Sequence, residues 1–212
     1  MVLNLAISTL LILAAYLLGS IPTGYLLGRY LKGIDIREHG SGSTGATNVL
    51  RSVGKYPAIA VLLIDLLKGS LALVLVKFAY AYFSNDLLPA EWHSWLITGA
   101  ALSAIIGHSK SIWLNFTGGK SVATTLGVLF VMNPPVALGT LATFGMILGI
   151  FRIVSLSSIC GAIAVNILML VSNQPVAFSL FAALAGAYVI VRHKTNIQRL
   201  LAGSEPKIGQ AL

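Results

Sequence analysis

Four stretches of this sequence, residues 1–28, 92–109, 121–151 and 153–191, contain no Asp, Glu, Lys or Arg, and a fifth, from Tyr56 to about Phe83, is apolar apart from Asp65, Lys68 and Lys77. A helix needs about 20 mostly apolar residues to cross the hydrocarbon core of a bilayer, so these stretches decide what the chain can fold into. Charged residues make up 9% of the 212, against about 25% in soluble domains. That is too few to cover a soluble surface of this size. The sequence reads as an all-α integral membrane protein.

Two of the uncharged stretches exceed one crossing. Asn133-Pro134-Pro135 interrupts the first and Ser172-Asn173-Gln174-Pro175 the second, with turn chemistry that a helix interior resists. The count becomes seven, and charge supports it. With seven spans and the N-terminus outside, Arg29, Lys32, Arg37, Arg51, Lys55, Lys110, Lys120, Arg152, Arg192, Lys194, Arg199 and Lys207 all fall on the cytoplasmic side, whereas the outside loops hold no Lys or Arg. One span over 121–151 would put the last five of these cations outside, against the positive-inside rule. The expectation is a single seven-transmembrane-helix bundle over residues 1–212, N-terminus outside and C-terminus cytoplasmic. Residues 121–132 cover roughly 18 Å as a helix, so this piece is expected to begin in the preceding loop or to be tilted or re-entrant.

The excess of 14 Lys plus Arg over 6 Asp plus Glu is assigned to cytoplasmic loops and not to nucleic-acid binding. No basic region precedes the first apolar stretch, so it reads as a retained span and not as a cleaved signal. Cys160 is the single cysteine. It excludes an intrachain disulfide and reads as a small apolar residue; no metal site and no cofactor are expected.

Function must lie in the polar residues that the apolar background tolerates. Gly40-Ser41-Gly42-Ser43-Thr44-Gly45-Ala46-Thr47-Asn48-Val49-Leu50-Arg51 offers flexible backbone N–H groups, hydroxyls and a guanidinium fork, chemistry suited to phosphate, although such a run also serves as a plain connector. Gly118-Gly119-Lys120-Ser121 leads into the next apolar helix, and its glycines would clear space for an anion beside the Lys120 ammonium; a headgroup-anchoring lysine is the bland alternative. Neither the first glycine nor the preceding strand of a nucleotide-binding P-loop is present. His108 lies near a helix end. Asp65 and Lys68, three apart, read as a buried structural pair. Ser155 sits where it could cap a helix or touch a ligand. If the last helix continues through the tail, His193 and Asn196 share one face and Arg192 lies beside Asn196; Gly203 ends it, with Glu205 just beyond.

Five of these segments, in order along the chain, resemble the bacterial membrane glycerol-3-phosphate acyltransferases that use acyl phosphate as donor: Gly40 to Arg51, Gly107-His108, Gly118 to Thr124, Val154 to Ile159, and Arg192-His193 through Asn196 to Leu201. The resemblance implies a seven-helix, N-out enzyme of the bacterial cytoplasmic (inner) membrane, working on the cytoplasmic side. It implies transfer of an acyl group from acyl phosphate to the sn-1 hydroxyl of glycerol 3-phosphate, the first acylation of phospholipid biosynthesis. By position it gives catalytic roles to Ser41, Arg51, Lys120, His193 and Asn196, and binding roles to Gly40, Gly42, Asn48, His108, Gly118, Gly119 and Ser155. The acyl chain would lie among helices open to membrane lipid, and contact with the enzyme that supplies acyl phosphate is a further expectation. This chain departs from the family at Ser109-Lys110-Ser111, where an aromatic and proline pair is usual after Gly-His. It departs again at Thr117 and Ser121, where Lys and Gly are usual. Lys110 is a candidate for the missing cation. No Ser-His-Asp or Cys-His set is visible, so direct transfer is expected, with His193, His108 or a substrate phosphate oxygen as base. A phosphorylated-solute transporter and a non-enzymatic scaffold are the rival readings; the first is disfavoured because the polar residues gather at helix ends and not at the midplane.

Overall fold

The structure, a computed structural model, describes residues 1–209. Among these it forms ten α-helices, joined by loops and three single 3₁₀ turns, with no β-strand. The chain divides into two compact units, Met1–Met132 and Asn133 onward.

The first unit contains α1 (Val2–Ser20), α2 (Thr23–Lys32), α3 (Ala46–Ser52), α4 (Lys55–Tyr82), α5 (His93–Ser109) and α6 (Val122–Met132). Pro22 cannot donate a helical hydrogen bond and separates α1 from α2, which together make an apolar segment of 31 residues. α1 packs along α5, and α4 along α6. The approach is close because small residues meet backbone: Gly19 faces Ala104, and Gly127 faces Leu66, the usual means of helix association in lipid. Asp65 and Lys68 pair as the sequence predicts, Nζ to Oδ1 at 2.8 Å. Lys77 Nζ donates to Val131 O at 2.6 Å, satisfying a carbonyl in the last turn of α6.

The second unit contains α7 (Pro134–Phe151), α8 (Val154–Val171), α9 (Val176–Arg192) and α10 (Lys194–Leu201). α8 packs against both α7 and α9. The predicted interruptions are present. Asn133 caps α7, accepting from Val136 N at 3.1 Å, and Pro134 opens the helix. Residues 172–175 form the turn between α8 and α9.

Four helical segments are long and apolar enough to cross a membrane, Val2–Lys32, Lys55–Tyr82, Pro134–Phe151 and Val154–Val171, and α9 with α10 makes a fifth if the bent pair counts as one. α5 has 17 residues and α6 only 11, so α6 is as short as the sequence indicates. Leu10, Leu63, Ile150 and Ile167 are exposed along these helices, as lipid-facing side chains must be.

The tail departs from the sequence expectation. The final helix does not continue straight: α9 and α10 meet at a bend of 60° centred on His193. The cause is local. His193 N bonds to Ile190 O at 2.9 Å, a tightened turn, while the imidazole Nδ1 folds back to Val189 O at 2.7 Å, taking the carbonyl that a continuous helix would use. Arg192 closes α9 and Asn196 lies in α10, so the two do not share one continuous helix.

Candidate active site

In the first unit the phosphate-like loop is shaped from within by Asn48. This buried side chain, in the first turn of α3, accepts Ser41 N on Oδ1 at 2.9 Å. Its Nδ2 faces three carbonyls, Ile36 and His39 at 3.0 Å and Ser43 at 2.9 Å. A single amide thus replaces the secondary structure that the loop lacks. Gly40 is required here: its φ is +58°, and a Cβ would collide with Asn48 Oδ1. Gly42 also takes a positive φ, +68°. Ser41 is left exposed, and Arg51, in the last turn of α3, is half-buried and has no acidic partner within its unit.

The stretch before this loop reaches the second one. Asp35 opens a 3₁₀ turn (Ile36–Glu38) and grips Arg37, with Oδ1 to Nε at 3.0 Å and Oδ2 to Nη2 at 2.7 Å. The Arg37 hydrogen bonds outweigh burial and hold the Asp35 carboxyl down to about 2. Arg37 lies 5.2 Å from the Tyr25 ring centroid, and its Nη1 donates to Thr117 Oγ1 at 3.3 Å. A cation that reaches Thr117 is thus Arg37, supplied by the first loop.

The second loop, between α5 and α6, is tightly wound. Asn115, Phe116 and Ser121 all adopt positive φ, of 51°, 57° and 64°, conformations that L side chains resist. Ser121 is held by two contacts, its Oγ donating to Ile105 O at 2.8 Å and lying 2.6 Å from Ser109 Oγ. A left-handed position suits Gly, and here a serine whose hydroxyl is anchored to Ser109 occupies it. Gly118 and Gly119 have a packing role within the loop. The space left by their missing side chains is filled by His108, whose carbonyl faces Gly118 and whose ring faces Gly119. Gly119 N also donates to His108 O at 3.2 Å. Lys120 follows directly, half-buried.

In the second unit the organising group is Glu205, to which the sequence assigns a place but no role. Glu205 is buried, and its Oε1 accepts from Ser155 Oγ at 2.7 Å and from Asn196 Nδ2 at 2.6 Å, while Oε2 accepts from Arg199 Nε at 2.7 Å. Burial pushes its carboxyl up, but the hydrogen bonds from Asn196, Ser155 and Arg199 outweigh it and hold the group below the ordinary glutamate range. Ser155 is thus not a helix cap. The chain returns here because Gly203, with φ +67°, closes α10: Gly203 N bonds to Leu200 O at 3.1 Å and Ser204 N to Arg199 O at 2.8 Å, a Schellman ending. The strand of tail beyond is tied down by Ile208 N to Arg152 O at 2.8 Å. His193 is buried, and because a carbonyl can only accept, its bond to Val189 O places a proton on Nδ1 and leaves Nε2 as the basic nitrogen of the neutral ring. The signal for Glu205 in the sequence is that a lone acid, one of 6 in the chain, follows a helix stop.

Apolar side chains turned outward along membrane-length helices, with buried polar networks gathered in loops and at helix ends, define a polytopic integral membrane protein. Comparison with known proteins narrows the class. The profile of the glycerol-3-phosphate acyltransferase family matches residues 9–203. The glycerol-3-phosphate acyltransferase of Rippkaea orientalis is 68% identical over 207 residues, 98% of this chain and 95% of its own, and that of Synechocystis is 59% identical over 200 residues, 94% and 90%. A crystal structure of PlsY, an integral membrane glycerol 3-phosphate acyltransferase, in its glycerol 3-phosphate form superposes with a TM-score of 0.84 at 39% identity, covering 95% of this chain and 96% of that one. Its lysophosphatidic acid form gives 0.81. The chain belongs to the glycerol-3-phosphate acyltransferase family, and it is an acyltransferase.

Proposed function

We propose that this protein transfers an acyl group from acyl phosphate to the sn-1 hydroxyl of glycerol 3-phosphate, giving lysophosphatidic acid and phosphate, the first acylation of phospholipid biosynthesis. The observation that carries this reading is the family match over residues 9–203, which includes the loops at Gly40 and Gly118, together with a relative solved in glycerol 3-phosphate and lysophosphatidic acid forms. The glycerol hydroxyl oxygen attacks the acyl carbonyl carbon, forming the ester bond as the bond to the phosphate oxygen breaks. The phosphate leaves with the electron pair, and the hydroxyl proton passes to a base. His193 Nε2 has the right tautomer; a phosphate oxygen of a substrate is the alternative. Acyl phosphate is an activated mixed anhydride, so placement and stabilisation of the developing oxyanion suffice. Ser41, Arg51, Lys120 and the backbone at Gly40 and Gly42 hold phosphate, and His193 and Asn196 contact glycerol 3-phosphate. Asn48, His108, Gly118, Gly119 and Ser155 keep these groups in place. Handover of the reactive donor by the enzyme that makes it, and an acyl chain lying in lipid, complete the reading.

The purified protein in detergent or lipid is expected to release phosphate from acyl phosphate when given glycerol 3-phosphate and to ignore acyl-CoA. Lys120→Ala is expected to abolish release, and Ser41→Ala and Arg51→Ala to weaken it with the fold retained. Phosphate release no higher than the Lys120→Ala background, or turnover with acyl-CoA instead, rejects the donor.

We further propose seven crossings of the bacterial cytoplasmic membrane, with α5 and α6 among them, the N-terminus outside and the loops that hold Ser41 and Lys120 on the cytoplasmic side. The distribution of Lys and Arg supports this orientation. In a Cys160→Ala background, Ser43→Cys is expected to react with a membrane-impermeant thiol reagent from the cytoplasmic side; labelling from the outer side alone reverses the topology.

A further inference from the structure

Asp65 and Lys68 on α4 and His108 at the end of α5 are 2%, 3% and 7% exposed, three ionisable side chains packed together in an apolar unit. Lys68 is fully accounted for: its ammonium lies 2.8 Å from Asp65 Oδ1 and donates to Ile21 O, at the break between α1 and α2, at 2.8 Å. The carboxylate has a second neighbour. His108 Nδ1 is 3.6 Å from the same Oδ1, and the far edge of that ring, Nε2 with Cε1 and Cδ2, fills the space where a Gly119 side chain would be. The imidazole is wedged between the Asp65 carboxylate and the backbone of the residue that precedes Lys120.

A buried ion pair is weak evidence for a role in stability, since apolar residues of like volume usually replace it without loss. Ionisable residues kept inside membrane segments mark functional positions. A pair that served only to hold α4 in place would have no need of an imidazole against it. We propose that Asp65 is a positioning residue of the acyltransferase: its carboxylate orients the His108 ring, and the ring sets the Gly119 backbone and with it the place of the Lys120 ammonium. This rests on the reading above that Lys120 holds substrate phosphate.

The test removes both charges together, so that no lone buried charge confuses the outcome. The Asp65→Asn/Lys68→Met protein is expected to melt near the wild type, while its KM for glycerol 3-phosphate rises about tenfold and kcat changes far less, the signature of a binding group moved slightly out of place. Assays use whichever acyl donor the wild type accepts, so a wrong assignment of the donor leaves the test intact. His108→Gln, which keeps the Asp65 and Lys68 pair, is expected to raise KM by a similar factor, and the triple variant to lose no more than either, since both changes act through one ring. Wild-type KM in the neutral double variant, or in His108→Gln should the double variant not fold, overturns the proposal. So do losses that simply multiply in the triple variant. Lys120→Ala, which is expected not to turn over, is measured beside them by equilibrium binding of glycerol 3-phosphate. Wild-type affinity there removes the phosphate-holding reading itself, whereas weakened binding there with unchanged KM in the pair variants removes the positioning role alone.

Discussion

Glu205→Ala is expected to lower the melting temperature sharply and reduce turnover to near background. The carboxylate is 8% exposed and is the common acceptor for Ser155, Asn196 and Arg199 at 2.6–2.7 Å. Its removal leaves buried donors unmatched at about 1–3 kcal/mol each and frees a guanidinium. The Arg199 guanidinium is 38% exposed and can recover water, so the cost rests on the two buried donors, about 2–6 kcal/mol together, a large part of the roughly 5–15 kcal/mol that holds a domain together. Activity falls with stability because Asn196 and the turn at His193 belong to the same short segment. Glu205→Gln should be milder in stability, since it keeps shape and one acceptor, yet its new amide donor opposes Arg199. The pH dependence has a definite sign. The folded carboxyl sits below its ordinary value of 4.5, so its contribution is complete above that pH and is lost on acidification through the lower folded value. Thermal unfolding in detergent and phosphate release measure both effects; wild-type melting in Glu205→Ala would show that the network is dispensable.

The second large effect is expected from a single methyl group. Gly119→Ala places a Cβ against the His108 ring, overlapping Nε2. The φ of Gly119 is not among the positive ones, so the cost is one of space and not of backbone strain. Relief requires the ring or the loop to move, and displacing a binding group by about 1 Å can lower rate by about a hundredfold. Turnover should drop by one to two orders of magnitude while the helices remain folded by circular dichroism, since the contact touches only the last turn of α5. Unaltered kinetics in Gly119→Ala would mean that the loop has slack which the packing does not show.

What the sequence made legible, and what it hid, follows from distance along the chain. Apolar length and turn residues located the helices, including the interruptions at Asn133-Pro134 and Ser172 to Pro175, because both signals are local. The loops at Gly40 and Gly118 were found for the same reason. Their internal workings were not. Asn48 braces its loop through four backbone groups, and the glycines at 118 and 119 leave room for His108, contacts made by the folded chain and not announced by composition. Arg37 reaches Thr117 across 80 residues, and Ser155 meets Glu205 across 50. No periodicity announces such partners. The bend at His193 was hidden for a different reason: helical spacing predicts continuation, and a side chain competing for its own backbone carbonyl leaves no trace in hydrophobic pattern.

The bond between Ser109 and Ser121 ties two positions of the chain into one packing problem. Both residues are almost wholly enclosed, so a bulky side chain at 109 has no room while Ser121 keeps its place, and loss of the Ser109 hydroxyl leaves that of Ser121 with the Ile105 carbonyl alone. Replacing one serine of the two is therefore expected to disturb the loop by itself, and replacing both is expected to cost less than the sum.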